Sequence, residues 1–312
     1  MDADLDPGPI KGLLRFSHQA MATMFEVFVC HPRQDYARQA ANEAFALLDR
    51  LEQQLSRFIE NSDISQINTS KPGKPVLVTP ETFECLMQAK AAYALSSGAF
   101  DPTVGTWTRI REERPNANSP HIGMDLLLLD ESTLTVTRPS EQVQLDLGGI
   151  GKGFALDEMA QTLDQWGIKT ALLHSGASTV LALDAPPGIK GWPVTVSCPF
   201  ETAGTLAHID LCRRAMSGSS QVSQRHILDP HTGQYPEARP FTWSCAPSGA
   251  LADALSTAFV VMRPTQVADL CTRNPAISAI LVQRTSVKGE VCQAKSFGLW
   301  PSGESQVMCR CP

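Results

Sequence analysis

The chain has 312 residues and a formal net charge of −6, with 43% hydrophobic and 19% charged residues. This hydrophobic content is sufficient for the core of one large domain or two small ones. The small charged fraction argues against nucleic-acid binding, which needs clustered basic residues. The sequence contains no apolar run of 18 residues, so no transmembrane segment is expected. Nine cysteines scattered through apolar contexts suit reduced thiols.

The N-terminal segment starts with acidic residues and contains neither an apolar signal core nor a lipid-attachment cysteine. We therefore expect residues 1–20 to form a flexible lead-in. As written, the sequence predicts a cytoplasmic protein, or an exported one if a signal was removed. A single catalytic domain, divisible into two subdomains, is expected over residues 21–300, and a C-terminal tail over residues 301–312.

The first third of the chain shows one strand pattern and two helix patterns. Phe25, Val27 and Val29 recur at every second position, which predicts a strand. Apolar residues at helical spacing predict an amphipathic helix over residues 35–55. A second helix is predicted over residues 79–97, because a threonine and a proline open it in the usual order.

The rest of the chain alternates between strands and helices. An antiparallel meander is predicted over residues 122–143, and a helix over residues 155–166. Two further strands are predicted within residues 186–198 and 205–211, and a helix and a strand follow Met262. The order of elements predicts an α+β fold, with a mixed or largely antiparallel sheet flanked by helices.

Residues 145–157, LDLGGIGKGFALD, contain a cluster of four glycines at a strand-to-helix junction: Gly148, Gly149, Gly151 and Gly153. Such a cluster indicates either backbone with φ > 0 or close approach of another group to the main chain. The free N–H groups of a helix start favour an anion, so phosphate binding is the first hypothesis. A glycine turn that packs a helix on a sheet is the alternative. The spacing fits neither the Rossmann fingerprint nor the P-loop.

With Asp146 before the glycines and Lys152 among them, the stretch resembles the D-L-G-G-I-x-K-G-Y-A-x-D signature of the ApbE family, the FAD:protein FMN transferases. Further segments between Met21 and Met262 resemble the family in the same order. The resemblance implies an ApbE-like α+β fold, FAD as substrate, Mg²⁺ as cofactor and an acceptor flavoprotein as partner. It also places Asp146 and Lys152 at the cofactor, with the lysine charge near the phosphates.

Three early segments carry further cofactor-binding candidates. Met21 lies in a triplet that resembles the family's M-G-T, where the methionine contacts the flavin; core packing is the alternative. Phe58 lies in a loop that resembles L-S-x-[YF]-x-x-x-S, and either stacks on the flavin or packs in the core. The segment GAFDPTV matches a family segment; a bare turn is the alternative. Its candidates are Ala99, Phe100 and Asp101.

Two later segments carry the catalytic and metal candidates. His226, in a segment resembling the family's H-[IV]-[IL]-D-P-x-T-G-x-P, is the best general-base candidate, although an isolated histidine here would be a surface residue. Ile227 would contact the flavin. Asp253 and Thr257 lie four apart in a segment resembling A-D-A-L-A-T-A, so on a helix they share a face and can bind Mg²⁺ with the carbonyl of Gly149. The alternative for Asp253 is a first-turn residue that faces the helix dipole.

One segment departs from the family. Where the family has G-G-[DN] after a strand, this chain has Ser175, Gly176, Ala177 and Ser178, so a neutral hydroxyl replaces an acid or amide. The same four residues resemble the [ST]-G-A-[ST] acceptor motif of the proteins these enzymes modify, which we interpret as coincidence.

The resemblance implies transfer of FMN from FAD to a Thr or Ser hydroxyl of an acceptor protein, with release of AMP. A Mg²⁺-dependent FAD pyrophosphatase that gives FMN and AMP needs the same site and stays open. A non-catalytic flavin-binding protein is a third hypothesis, but the retained metal pair and base argue against it.

Overall fold

The computed structural model describes residues 10, 12–107, 122–197, 205–220, 227–236, 240–286 and 290–301. The strands are β1 Leu13–Ala20, β2 Thr23–Cys30, β3 Val76–Leu77, β4 Leu128–Asp130, β5 Thr135–Thr137, β6 Ala171–Ser175, β7 Thr179–Ala182, β8 Trp192–Ser197, β9 Thr205–Leu211, β10 Arg214–Ser219, β11 Phe241–Ala246, β12 Ser278–Ser286 and β13 Glu290–Phe297. The α-helices of the described residues are α1 Gln34–Leu55, α2 Asp63–Thr69, α3 Pro80–Leu95, α4 Gly151–Gln165, α5 Gly249–Val261 and α6 Pro264–Arg273.

The main sheet has eight strands in the order β1-β2-β6-β7-β10-β11-β12-β13, and every neighbouring pair is antiparallel. Strands β3, β5 and β4 form a small second sheet, and β8 pairs with β9. The predicted α+β fold with a largely antiparallel sheet flanked by helices is therefore confirmed.

The two faces of the main sheet are covered by different elements. On one face, Phe25 and Val27 of β2 are fully buried in a core that includes the apolar sides of α1, α4 and α5. On the other face, Phe28 belongs to a second core that contains Trp192 of the β8–β9 hairpin. The alternation of side chains along a strand explains this division, since successive residues point to opposite faces. The candidate site residues lie on the helical side.

The local predictions hold in most places. The second helix begins after Thr79, whose side chain accepts the N–H of Thr82 as an N-cap. Helix α4 begins at Gly151, four residues before the expected start, because the glycine stretch itself forms the first turn. Residues 13–20 were assigned to the lead-in, yet they form the edge strand β1. No helix of the described residues is long and apolar enough to span a membrane.

Candidate active site

The glycine stretch is fixed in place by backbone hydrogen bonds to two other parts of the fold. The side chain of Asn68 donates to the carbonyl of Leu145 (2.9 Å) and accepts its N–H (2.7 Å). The N–H of Asp146 donates to the carbonyl of Pro102 at 2.7 Å. The segment before the glycines is therefore anchored to helix α2 and to the loop that follows α3.

The glycines are needed for close approach. None of Gly148, Gly149, Gly151 and Gly153 has a positive φ, so the first of the two expected reasons for the cluster is wrong. A Cβ on Gly153 would overlap the main-chain carbonyl of Gly249. Such a clash cannot be relieved by a side-chain rotation. Helices α4 and α5 can therefore cross at this point only because both residues lack a side chain.

Gly149 is also closely approached by other groups. A Cβ there would lie 3.0 Å from the hydroxyl oxygen of Thr257 and 3.3 Å from the ring of Phe100. The fold therefore brings Gly149 and Thr257 together, as the sequence predicts, and places the buried Phe100 ring beside them.

A cavity of about 220 Å³ opens on the other side of the glycine stretch. Its lining includes Met21, Glu52, Arg57, Phe58, Asp146 and Lys152. Four of the predicted cofactor-binding residues are thus brought to one cavity, although they are far apart in the sequence.

The β1–β2 turn supplies Met21 to this cavity through a strained backbone. Met21 and Ala22 have φ values of 48° and 58°, in the left-handed region that non-glycine residues rarely adopt. The N–H of Met21 donates to Oε1 of Glu52 at 2.8 Å, which holds the turn against α1. Met21 also packs against the main core, so the flavin-contact and core hypotheses for Met21 are both compatible with its position.

The charged groups of the cavity are already paired. Nε of Arg57 lies 3.0 Å from Oδ2 of Asp146, whose Oδ1 accepts the N–H of Gly148 at 3.0 Å. Lys152 donates through Nζ to the carbonyl of Gly148 at 3.2 Å. Arg57, Lys152 and the Asp146 carboxylate therefore meet at the glycine stretch, while Glu52 adds a second carboxylate to the cavity lining. The two cations can still reach an anionic ligand, but the lining as a whole carries no net charge.

Phe58 stands at the rim of the cavity and is 81% exposed. The core-packing alternative for Phe58 is therefore wrong. The guanidinium of Arg57 stacks on its ring, with 4.3 Å between Cζ and the ring centroid. This leaves an aromatic surface exposed beside the cavity.

The loop of Ala99, Phe100 and Asp101 is buried and does not belong to the described lining of this cavity. The carboxylate of Asp101 accepts both the N–H (2.8 Å) and the hydroxyl (2.7 Å) of Thr103. Burial raises the pKa of Asp101 above its ordinary value. These contacts fit the predicted turn, and a contact between the loop and a cofactor stays a prediction.

Asp253 lies beneath the first turn of α4 and is 3% exposed. Its Oδ2 accepts the N–H of Gly153 at 3.1 Å, and its Oδ1 lies 3.2 Å from the hydroxyl of Ser217 and 3.5 Å from that of Thr179. The hydroxyl of Thr257 donates to the main-chain carbonyl of Asp253 at 3.3 Å. Asp253 is thus a buried carboxylate surrounded by three polar groups, at the N-terminus of α4 and not of its own helix.

Asp157 makes the reciprocal contact from α4 to α5. Its carboxylate accepts the N–H groups of Gly249 (2.6 Å) and Ala250 (2.8 Å), and burial raises its pKa to about 6. Each helix therefore caps the N-terminus of the other. Asp157 is the last residue of the signature, and the sequence alone predicts no role for it.

Fewer main-chain N–H groups are free to bind a phosphate than the phosphate hypothesis assumes. The N–H of Gly151 donates to the carbonyl of Leu147 at 2.8 Å, and that of Gly153 to Asp253, so two donors of the first turn are used inside the protein. An anion at this helix start would depend on Lys152 and Arg57 more than on free N–H groups.

Two further predicted residues, His226 and Ile227, precede α5 in the sequence. Ile227 is 8% exposed, and its contact with a flavin stays a prediction. His226 lies outside the described residues. Sequence reasoning missed Glu52, Arg57 and Ser217, since a single Glu, Arg or Ser in a helix, loop or strand carries no signal that distinguishes a site residue.

The sequence matches the ApbE family over residues 21–281. It is 31% identical over 257 residues to the FAD:protein FMN transferase of Chlamydia muridarum, covering 70% of this chain and 76% of that protein. The corresponding protein of Chlamydia trachomatis is 30% identical over 253 residues, covering 72% of this chain and 77% of that protein.

Solved structures are similar over nearly the whole chain. The flavin transferase ApbE from Vibrio cholerae has a TM-score of 0.78 at 20% identity, covering 91% of this chain and 97% of that one. The ApbE protein from Thermotoga maritima has a TM-score of 0.76 at 25% identity, covering 90% of this chain and 96% of that one. The fold, the ordered motifs and the match over residues 21–281 lead to one conclusion: the chain belongs to the ApbE family.

Proposed function

We propose that this chain is a Mg²⁺-dependent FAD:protein FMN transferase. It moves FMN from FAD to a Thr or Ser hydroxyl of an acceptor flavoprotein and releases AMP. Curated relatives of this name and the family match support the proposal. The single observation that carries it is the bond between Gly153 and Asp253, which joins the proposed oxygen ligands to the last of the four glycines, next to Lys152 in the cavity lining.

The residues near Asp253 fit a magnesium ion by their chemistry. Asp253 offers a carboxylate, Thr257 a hydroxyl and Gly149 a main-chain carbonyl, and all three are the hard oxygen donors that Mg²⁺ prefers. No group of three His, Cys, Asp or Glu side chains suited to a metal occurs in the part of the chain that the structure describes. Few protein ligands suit Mg²⁺, which keeps waters and substrate phosphates. When bound, it would neutralise charge on the FAD pyrophosphate.

The cavity fits the flavin part of FAD. Phe58 presents an exposed ring on which an isoalloxazine can stack, and Met21 offers a polarisable apolar contact. Lys152 and Arg57 supply positive charge near the phosphates. Binding FAD would require them to exchange part of their present contacts with Gly148 and Asp146 for phosphate oxygens.

His226 is the proposed general base. A neutral imidazole can take the proton from the acceptor hydroxyl near neutral pH. The hydroxyl oxygen then forms a bond to the FMN-side phosphorus, the bond from that phosphorus to the bridging oxygen breaks, and AMP leaves with that oxygen. Positioning and charge neutralisation supply most of the rate in phosphoryl transfer of this kind.

The family's acid or amide is replaced by Ser178. Its hydroxyl donates to the carbonyl of Ser175 at 3.2 Å, inside the turn between β6 and β7. A neutral group in this position adds no charge to the site. We therefore assign the metal-binding charge to Asp253 alone.

The proposal is tested by incubating the purified protein with FAD and Mg²⁺, with and without a threonine-bearing acceptor flavoprotein. AMP release and in-gel flavin fluorescence are measured. AMP together with a fluorescent acceptor band supports the transferase. AMP with free FMN and no labelled acceptor would instead favour the pyrophosphatase, and bound FAD without AMP would leave a flavin-binding protein.

A pair of carboxylate variants shows whether the reaction uses the proposed site. Asp253→Asn should lower AMP release at least 100-fold, since it removes the charge that holds the cation. Asp269→Asn is the matched control, because Asp269 lies on α6 with a largely exposed carboxylate paired to Arg273. It should release AMP at the wild-type rate.

A further inference from the structure

Four buried hydroxyls form a row across the main sheet, beneath helix α5. Ser175 pairs with Thr179 between β6 and β7, Thr179 with Ser217 between β7 and β10, and Ser217 with Ser244 between β10 and β11. Directly paired residues share one face of a sheet, so the four side chains lie side by side. We call Ser175, Thr179, Ser217 and Ser244 the hydroxyl row. All four are at most 2% exposed.

The middle of the row meets the carboxylate of Asp253. Ser217 donates to Oδ1 at 3.2 Å, while the hydroxyls of Thr179 and Ser217 lie 2.9 Å apart. Each hydroxyl has one proton to donate. The arrangement that uses the shorter contacts is therefore directional: Thr179 donates to Ser217, and Ser217 donates to the carboxylate.

A second hydroxyl chain supports Ser217 from the helix side. Ser256 of α5 lies 3.2 Å from the Ser217 hydroxyl and 2.8 Å from that of Ser219. Thr242 donates to the carbonyl of Ser256 at 2.7 Å. Neighbours on two strands and one helix thus hold Ser217 in place. Buried polar groups held in this way keep one orientation.

We infer that Ser217, supported by Thr179, is a positioning residue that orients the Asp253 carboxylate for the cation. The inference rests on the metal site proposed above. The Gly153 N–H holds Oδ2 and Ser217 holds Oδ1, so the carboxylate cannot rotate freely. Groups that fix a ligating carboxylate typically change metal affinity by about 10- to 100-fold when they are removed.

The test measures the binding of Mn²⁺, a paramagnetic substitute for Mg²⁺, in the presence of ADP as a pyrophosphate probe. The EPR signal of free Mn²⁺ gives the dissociation constant without any turnover. Ser217→Ala should weaken Mn²⁺ binding about 10-fold. Thr179→Val keeps the shape but removes the hydroxyl and should weaken binding less, because Ser217 still donates. Thr179→Ser keeps the hydroxyl and should retain wild-type affinity.

Ser244→Ala is the matched control within the hydroxyl row. Ser244 is as buried as Ser217, but its hydroxyl bonds the carbonyl of Ala252 and not the carboxylate. Its removal should leave Mn²⁺ affinity within about twofold of wild type. A drop as large as that of Ser217→Ala would show a general loss of packing and would overturn the inference. Thermal unfolding of each variant identifies any that fails to fold. If Ser217→Ala does not fold, the Mn²⁺ affinities of Thr179→Val and Thr179→Ser are compared instead.

The outcomes separate this inference from the proposed function. Wild-type protein without saturable Mn²⁺ binding, or Asp253→Asn with unchanged affinity, would show that the proposed metal site is wrong. Loss of Mn²⁺ binding in Asp253→Asn, together with wild-type affinity in both Ser217→Ala and Thr179→Val, would overturn the positioning role and leave the metal site standing.

Discussion

Gly153 donates its main-chain N–H to the carboxylate of Asp253 at 3.1 Å, across 100 residues of sequence. The same glycine lies against the carbonyl of Gly249, at the crossing of α4 and α5. Asp157 returns the contact by accepting the N–H of Gly249 at 2.6 Å. This crossing therefore joins the glycine stretch, the metal-ligand candidate and the start of the second helix into one rigid unit.

The crossing predicts opposite effects for two neighbouring glycines. Gly153→Ala would place a Cβ against the carbonyl of Gly249, so we expect a loss of about 2 to 3 kcal/mol in the free energy of unfolding. Gly151→Ala would place its Cβ 3.9 Å from that of Leu147, an ordinary contact, and should gain up to about 1 kcal/mol from helix propensity. Urea denaturation measures both. Equal effects of the two substitutions would contradict the close approach.

Ala22 occupies a left-handed position, with φ at 58°, where the family has glycine. Ala22→Gly should raise the free energy of unfolding by about 0.5 to 1 kcal/mol, because the strain exceeds the extra chain entropy of glycine. Ala20→Gly, two residues earlier at the buried end of β1, should instead lower it by about 1 kcal/mol. Denaturation curves of the two variants give their free energies of unfolding. A lower free energy of unfolding in Ala22→Gly than in the wild type would contradict a strained turn.

Ser175 has a fully buried hydroxyl without a hydrogen-bond partner among the described residues. A buried polar group in this state destabilises the folded protein. Ser175→Ala should therefore raise the free energy of unfolding by about 1 kcal/mol. Chemical denaturation checks this directly. A marked decrease would mean that the Ser175 hydroxyl has a stabilising partner.

Phe58 allows flavin binding to be separated from folding. Since the ring is 81% exposed, Phe58→Ala should change the free energy of unfolding by less than about 0.5 kcal/mol. Loss of a stacking contact should weaken FAD binding about 2- to 12-fold. Calorimetric titration with FAD in the absence of Mg²⁺ measures the affinity. Leu77→Ala, at an exposed position outside the cavity, should change neither quantity; unchanged FAD affinity in Phe58→Ala would remove Phe58 from the site.

Asp157 predicts a pH dependence of stability. Its pKa is about 6 in the folded protein, and burial raises it there from the ordinary value of 3.8. The folded state therefore holds the proton more tightly. The resulting stabilisation is complete below about pH 4 and is lost as the pH rises through 6, by up to about 3 kcal/mol.

This pH dependence can be isolated by comparing two variants of α4. Asp157→Asn should reduce the slope of the stability profile between pH 4 and 7, because the contribution of Asp157 is removed while that of other buried carboxylates such as Asp101 remains. Asp164→Asn, at an exposed carboxylate on the same helix, should keep the wild-type profile. Denaturation at several pH values measures both; a wild-type slope in Asp157→Asn would exclude Asp157 as its source.

Local features of the chain could be predicted from the sequence alone. The alternation around Phe25 and the helical spacing in residues 34–55 depend on neighbours a few positions away. The cap at Thr79 is likewise a contact over three residues. The motif order was also enough to predict the family, which the comparisons confirm.

The orientation of the site depends on contacts that no local pattern encodes. Asp253 obtains its polar neighbours from residues 36, 74 and 100 positions away, through strand register and the crossing of two helices. The glycine cluster left two explanations open, positive φ or close approach, because a glycine that allows a turn and one that allows close packing look the same in a sequence. Only the presence of Gly249 opposite Gly153 distinguishes the two.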